Sequence, residues 1–202
     1  MILFEDEHIY VVHKPHEISF SDFSKSIPYS PAHRLDKVTS GVFLFTKSKE
    51  AAREIESLFS QKKILKTYIA IAGNKPKKKQ GTISGNMERS RRSTWKLTRN
   101  GDNQAVTKFQ SFTYNDKDRI YLLNPLTGKT HQIRVALKSL SVPIHGDKLY
   151  GGIESDRCYL HCYKMSFSLF NRLYEVESNN FEGLLFDNKF RKKLEEIINS
   201  KL

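Results

Sequence analysis

Long apolar runs are missing from this 202-residue chain. No stretch of about 18 apolar residues occurs, which excludes a membrane-spanning helix. Cysteines number two, Cys158 and Cys162, too few for a disulfide scaffold. The opening residues Ile2-Leu3-Phe4-Glu5-Asp6-Glu7 lack the basic segment and long apolar core of a secretory signal, so a cytoplasmic protein is expected. Gly-rich phosphate loops, G-x-S-x-G elbows and H-E-x-x-H are all absent. Acidic residues are scarce in one region: between Gln61 and Asn100 a single acid, Glu88, stands among twelve Lys and Arg. That tract accounts for nearly all of the net charge of +12. A bias this local points to a polyanion footprint, with a merely solvated Lys-rich surface as the alternative.

What is present suits one globular domain over residues 1–202. The composition is 38% hydrophobic, 11% aromatic and 28% charged, and a chain of this length can bury a core without staples. Ile2-Leu3-Phe4 and Ile9 to Val12 form a hairpin that ends at Lys14-Pro15. Residues 16–32, rich in Ser, Pro and Asp, are expected to be a loop. Residues 41–46 form a buried strand. Ser48 caps a helix to Gln61, with Ala51, Ala52, Ile55, Leu58 and Phe59 on one face. Residues 67–72 are another strand. The polar, basic segment 74–104 is expected to leave the sheet as an excursion with short strands at Thr82-Ile83 and 93–98. Strands follow at 107–114, 120–123, 158–169 and 173–177. A helix is expected over 130–140, with Ile133, Ala136, Leu137 and Leu140 facing the core and His131, Arg134 and Lys138 opposite. Asp187 caps a last helix with Phe190, Leu194, Ile197 and Ile198 in one stripe. The fold class is α+β: a mixed, largely antiparallel sheet flanked by helices.

Three polar clusters lie between apolar elements: His33-Arg34-Leu35-Asp36-Lys37-Val38-Thr39-Ser40-Gly41, Asn124-Pro125-Leu126-Thr127-Gly128-Lys129-Thr130-His131-Gln132-Ile133-Arg134, and Pro143-Ile144-His145-Gly146-Asp147-Lys148-Leu149-Tyr150-Gly151. By itself Asp36, flanked by Arg34 and Lys37, fits a structural ion pair as well as a functional carboxylate. Tyr68 and Leu160, by themselves, fit core positions. Cys158, His161 and Cys162 cluster in sequence, but a zinc site needs about four ligands, so buried thiols are the simpler reading and no metal is expected.

The string HRLDKVTSG resembles the motif that holds the catalytic aspartate of RluA-type pseudouridine synthases. Lys66-Thr67-Tyr68-Ile69-Ala70 through Gly73 resembles their second motif, TGKTHQIRVAL with PIHGDKLYGG their third, and Leu160-His161 leading to Met165 and Phe167 their last. The Glu-Asp hairpin followed by Lys14-Pro15 fits the family's opening. The order is kept from about residue 2 to 177. The chain departs at His16-Glu17, where the family usually has Gly second, and at Lys129, Ala136, Cys162 and Phe170-Asn171.

The resemblance implies isomerisation of uridine to pseudouridine in structured RNA, ribosomal or transfer, by breaking the C1′–N1 bond and rejoining the base through C5. A uracil inside a helix must first be flipped out. Asp36 is then the catalytic carboxylate, Arg134 the cation that keeps it ionised, and Tyr68 a flat face with a hydroxyl that could move a proton. Arg34 fills the vacated space, Leu160 supplies an apolar wall, and His33, Thr39, His131 and Gln132 are expected to hold substrate. Lys75, Lys77, Lys78, Lys79, Arg89, Arg91 and Arg92 are expected to track phosphates. No redox change occurs, so no cofactor is expected; RNA is the expected partner and the chain is expected to be a monomer. The competing function is a catalytically silent RNA-binding or RNA-folding protein on the same scaffold.

Overall fold

A computed structural model describes residues 1–73 and 75–200. Asn74, at the start of the expected excursion, and residues 201 and 202 lie outside them. In chain order the elements are β1 (Ile2–Glu5), β2 (Ile9–Lys14), α1 (Phe20–Lys25), β3 (Ser30–Pro31), β4 (Ser40–Thr46), α2 (Lys49–Ser60), β5 (Leu65–Gly73), β6 (Gln80–Arg89), β7 (Trp95–Thr98), β8 (Gln104–Thr113), β9 (Asp118–Pro125), α3 (Gln132–Ser139), β10 (Leu160–Leu169), β11 (Arg172–Glu177) and α4 (Asn188–Asn199). Strands dominate, pair mostly antiparallel and are flanked by helices, as the α+β reading requires. No helix among the described residues is long and apolar enough to cross a membrane.

The chain divides into two compact units, residues 1–68 with 161–180, and residues 69–160 with 181–202. In the first, β4 is buried along its whole length. It pairs antiparallel with β2 and with the two-residue β3, and parallel with the start of β10. β1 extends β2, and β11 returns along β10. Gly41 makes the parallel contact possible. It lies opposite Cys162 with φ +114°, and a Cβ there would overlap the Cys162 backbone.

Residues 16–32 are not the featureless loop expected. The Ser19 hydroxyl accepts from the Asp22 N–H and donates to its carboxylate, capping α1. Phe20 and Phe23 on α1 then pack against Phe43. Glu17, where the family usually has Gly, takes φ +62°, and Phe170-Asn171 form the β10–β11 turn with φ +49° and +62°. The backbone that glycine would ease is kept by other residues at some cost in strain.

In the second unit the strand order is β5-β9-β8-β6-β7, with β7 at the edge. The expected excursion is therefore largely sheet: β6 pairs with β8 over seven residues, and β7 pairs back on β6. The isolated strand expected at Thr82-Ile83 is one part of a ten-residue strand. α3 is shorter than expected, beginning after His131, which sits at the cap with φ +57°.

Candidate active site

Asp36 lies in a tight turn between β3 and β4. Its carbonyl accepts the Thr39 N–H at 3.0 Å. The turn is held from below by Lys14, whose side chain is fully buried at the end of β2. The ammonium donates to the carbonyls of Thr39 at 2.9 Å, Pro15 at 2.9 Å and Lys37 at 3.3 Å. A buried cation is costly unless hydrogen-bonded; here its bonds draw the main chain just after Asp36 and the end of β2 to one point. Thr39 is buried and serves the turn through its backbone.

His33 completes the support. Its Nε2 accepts the Leu44 N–H at 3.1 Å, and its ring lies on Phe43 with centroids 4.7 Å apart. Burial, with the positive Lys66 nearby, lowers its pKa from the usual 6.5 to about 3. His33 is thus a neutral pin between the Asp36 loop and β4, a structural task that the expectation of substrate contact did not include. Arg34 is exposed, with its guanidinium 5.6 Å from the centre of the Phe20 ring. α1 therefore gives Arg34 a platform.

On β5 the alternation of side chains puts Lys66 and Tyr68 on one face. Tyr68 is buried and its hydroxyl is held well above its ordinary pKa by burial first, then by the adjoining Cys162 thiol and the negative Asp36. It is a neutral phenol across the physiological range. The same burial pushes the Cys162 thiol up to about 12, opposed by its hydrogen bond with Tyr68 and by Lys66. Lys66 is lowered by burial and raised in part by Cys162, with its ammonium 5.5 Å from the Phe59 ring centre. Asp36, Tyr68, Lys66 and Cys162 thus form one electrostatic group in the first unit. His161 beside them is engaged by the Ser40 hydroxyl and the Ser178 carbonyl, both at 2.8 Å, so it adds no metal ligand to Cys162.

In the second unit Arg134 is 4% exposed, and every residue of α3 from Gln132 to Leu137 is buried. The helix has no wet face at its start, and the side that carries Arg134, opposite Ile133, Ala136 and Leu137, is covered by protein. Its Nε and Nη2 donate to the two oxygens of Asp147, each at 2.8 Å, a bidentate pair. Asp147 is placed by the glycine-bounded loop before β10: Gly146, φ +74°, packs so closely on the Arg157 carbonyl that no side chain fits. Tyr150 lies beneath Arg134, its ring centre 5.0 Å from the guanidinium carbon. Its hydroxyl bonds the Nδ1 of His131 at 2.9 Å. Leu160 is buried at the start of β10. Asp147 and Tyr150 are not singled out by the sequence, although a carboxylate and a tyrosine in a glycine-bounded turn were the available signal.

Gln132, expected to hold substrate, is engaged within the protein. Its amide donates to the Val106 carbonyl and Thr107 hydroxyl, and its oxygen accepts from the Thr127 hydroxyl and Lys129 N–H. Both donors and both acceptor positions are filled, so it braces residues 127–129 against β8.

The basic residues form two groups. Lys75, Lys77, Lys78 and Lys79 are exposed just before β6, where the Lys77 N–H reaches the Leu140 carbonyl at the end of α3. Arg89, Arg91 and Arg92 are exposed at the other end of β6 and in the turn to β7. At about 3.3 Å per residue the ten-residue strand separates them by roughly 30 Å. The residues expected to track phosphates thus fall into two clusters.

Known proteins share this frame. The family profile described as RNA pseudouridylate synthase matches residues 8–139. A relative from Haemophilus influenzae, named an uncharacterized RNA pseudouridine synthase, is 49% identical over 146 residues, covering 71% of this chain and 65% of its own length. A Rickettsia bellii protein named ribosomal large subunit pseudouridine synthase C is 32% identical over 173 residues, covering 74% and 56%. The chain thus spans about three fifths of the length of such relatives. Human RNA pseudouridylate synthase domain containing 1 shares the fold, with a TM-score of 0.77 at 23% identity over 89% of this chain and 82% of that one. With well over half of its residues matched by the profile and its motifs in the family's order, the chain belongs to the RNA pseudouridylate synthase family.

Proposed function

We propose that this chain isomerises particular uridines of structured RNA to pseudouridine, with Asp36 as the essential carboxylate. The observation that carries the reading is the Asp36 turn. A carboxylate is presented on a loop fixed by a buried ammonium, within electrostatic reach of a buried phenol. An ion-pair residue with a purely structural task would not need a turn braced from β2 and β4.

In this reading Asp36 acts on the flipped uridine, and the reaction needs no oxidant, reductant or external group because bonds are only exchanged within one nucleotide. Tyr68, held protonated, offers its ring to the uracil and can donate or relay a proton, but cannot serve as a phenolate base. Arg134, fixed by Asp147, is the cation of the reaction. Arg34 fills the space the uridine leaves, and Leu160 gives an apolar wall. RNA is the partner, and the protein works in the cytoplasm as a monomer. The Rickettsia relative's name makes ribosomal RNA the first substrate to test, with transfer RNA second.

The test is a pseudouridine map of total RNA from cells lacking the gene, then complemented with the wild type or Asp36→Asn. Defined sites that vanish on deletion return with the wild type and stay absent with Asp36→Asn, whose folding and RNA binding are retained. A map unchanged by deletion would sink the enzyme reading and leave the silent RNA-binding scaffold. Sites restored by Asp36→Asn would remove Asp36 from its role.

A further inference from the structure

The turn at the arginine end of β6 is built at a cost. Arg92 and Ser93 both take left-handed backbone, φ +53° and +59°, in the turn between β6 and β7. Hairpin turns of this kind favour Asn-Gly or Gly-Gly, which adopt positive φ readily. Keeping arginine there retains a charge at the tip that glycine would surrender, and strain maintained in this way points to a function. The turn is closed by the Ser90 N–H to the Thr94 carbonyl and by the Thr94 N–H and hydroxyl to the Arg91 carbonyl.

The root of the same turn is tied to Arg134 through one side chain. β7 is the edge strand, and the Trp95 N–H at its start donates to the Tyr150 hydroxyl at 3.0 Å. That hydroxyl also meets the Nδ1 of His131, at the cap of α3. The Tyr150 ring carries the Arg134 guanidinium on its face. Its N–H leans on Asp147, the carboxylate that forks Arg134. The ring packs with Met87, Ala105, Val135, Trp95 and Leu97, so the tie is set in an apolar seam. Packing alone would be met by phenylalanine. The hydroxyl adds a directed link between β7 and the element that bears Arg134.

We propose that Tyr150 is a positioning residue that latches the β6–β7 hairpin to Arg134, so that RNA phosphates gripped by Arg91 and Arg92 are held in register with the reaction's cation. This rests on the pseudouridine synthase reading and adds a path by which RNA grip and Arg134 placement are joined. The lysine cluster is joined instead by backbone bonds, to β8 and to the carbonyl of Leu140 at the far end of α3, about one and a half turns of helix away from Arg134.

Tyr150→Phe removes the hydroxyl and keeps the ring, its packing and its place under Arg134. The measurement is single- and multiple-turnover kinetics on a transcript of ribosomal large-subunit RNA that carries the mapped uridine. Trp95, the only tryptophan in the chain, supplies a fluorescence signal for the hairpin. The expected result is a fall in kcat of about tenfold with a smaller change in KM, a Trp95 emission that differs from wild type before RNA is added, and a cooperative melt by circular dichroism with Tm lowered by only a few degrees, so that the protein is fully folded at the assay temperature. The triple variant Tyr150→Phe, Arg91→Gln, Arg92→Gln should lose less than the product of the separate losses, because the two sets act along one path. Wild-type kcat in Tyr150→Phe, or strictly multiplicative losses, would overturn the latch. Should Tyr150→Phe fail to fold, the exposed pair Arg91→Gln, Arg92→Gln decides alone: a lower kcat at saturating RNA supports the latch and a change confined to KM overturns it. If the wild type makes no pseudouridine yet RNA shifts Trp95 emission in the wild type and not in Tyr150→Phe, the functional reading fails while the latch stands; if RNA leaves Trp95 emission unmoved in both, the latch fails with it.

Discussion

The two charged residues to which the proposed chemistry is assigned are held in opposite ways. Asp36 sits on a turn whose support reaches the main chain: Lys14 grips three carbonyls, and His33 and Thr39 engage backbone N–H or carbonyl groups. Arg134 is gripped by its own side chain, forked by Asp147 and floored by Tyr150. The first arrangement fixes where a carboxylate stands by way of the backbone that carries it. The second fixes the direction of a guanidinium and gives up part of its hydrogen-bonding capacity to do so. The residue proposed to react and the residue proposed as the reaction's cation are thus held by different scaffolds.

The sharpest way to break the comparison is at Asp147. Asp147→Asn should destabilise the protein by about 3 to 5 kcal/mol, because breaking a buried pair leaves a poorly compensated charge. For a chain of this size that is a fall in Tm of roughly 6 to 20 °C. Arg134→Met should cost similar stability by leaving Asp147 buried, and should also abolish turnover; Arg134→Lys should recover part of both, since it keeps charge but loses the planar fork. Thermal unfolding and turnover on the mapped RNA check these outcomes, and an Asp147→Asn protein with wild-type Tm would show that the fork is not what holds Arg134.

The corresponding break in the Asp36 turn is Lys14→Met, which keeps the stem and orphans carbonyls. It should cost about 2 to 4 kcal/mol, at about 1 to 3 kcal/mol for each buried acceptor left unsatisfied and partly relieved by water. Activity measured well below the new Tm should also fall, because the turn is no longer drawn to one point. Retention of full activity at that temperature would separate the turn's rigidity from its chemistry.

His33 sharpens the comparison through pH. Its folded-state pKa, about 3, lies below the usual 6.5 of the unfolded chain. Between those values the unfolded state binds the extra proton, so this group's contribution is complete above about 6.5 and is lost as pH falls toward about 3. Denaturant unfolding of wild type and His33→Gln over that range should show a shallower acid loss in the variant. Parallel curves would mean that His33 is not a buried neutral pin.

The smallest expected effects concern the two basic clusters. Replacing Lys75, Lys77, Lys78 and Lys79 by Ala, or Arg89, Arg91 and Arg92 by Gln, should each flatten the salt dependence of RNA binding, by about 0.7 to 0.9 for every phosphate no longer neutralised. The arginine set should lower turnover as well, and the lysine set only affinity. A lysine variant with an unchanged salt slope would place that end of β6 away from RNA.

Much of this was legible from residue order. Ser48, Asp187 and the stripe Phe190, Leu194 and Ile197 marked their helices because cap and period agreed. Asp36 and Tyr68 were legible only through the motifs around them. The seat of Arg134 was not legible because a helical wheel shows which face a residue takes and not what covers that face. α3 is buried around Gln132 and Arg134, whose partners Asp147, Val106 and Thr107 lie 13 to 26 residues away along the chain. β6 was shortened because its first half is mostly exposed, so Gln80-Gly81-Thr82 and Ser84 carry no apolar alternation. α1 was missed because Ser and Asp, which often mark loops, here act as a cap for two phenylalanines.

The length of β6 has an electrostatic consequence. At physiological ionic strength the screening length is about 8 Å, and the lysine and arginine clusters stand roughly 30 Å apart on a ten-residue strand. Each cluster therefore lies beyond the other's ionic atmosphere. The seven cations of the two clusters do not act on a polyanion as one field; they act as two nearly independent handles. Mutation can retune one handle without disturbing the other, and a short RNA that covers only one end will sense only that end's charge.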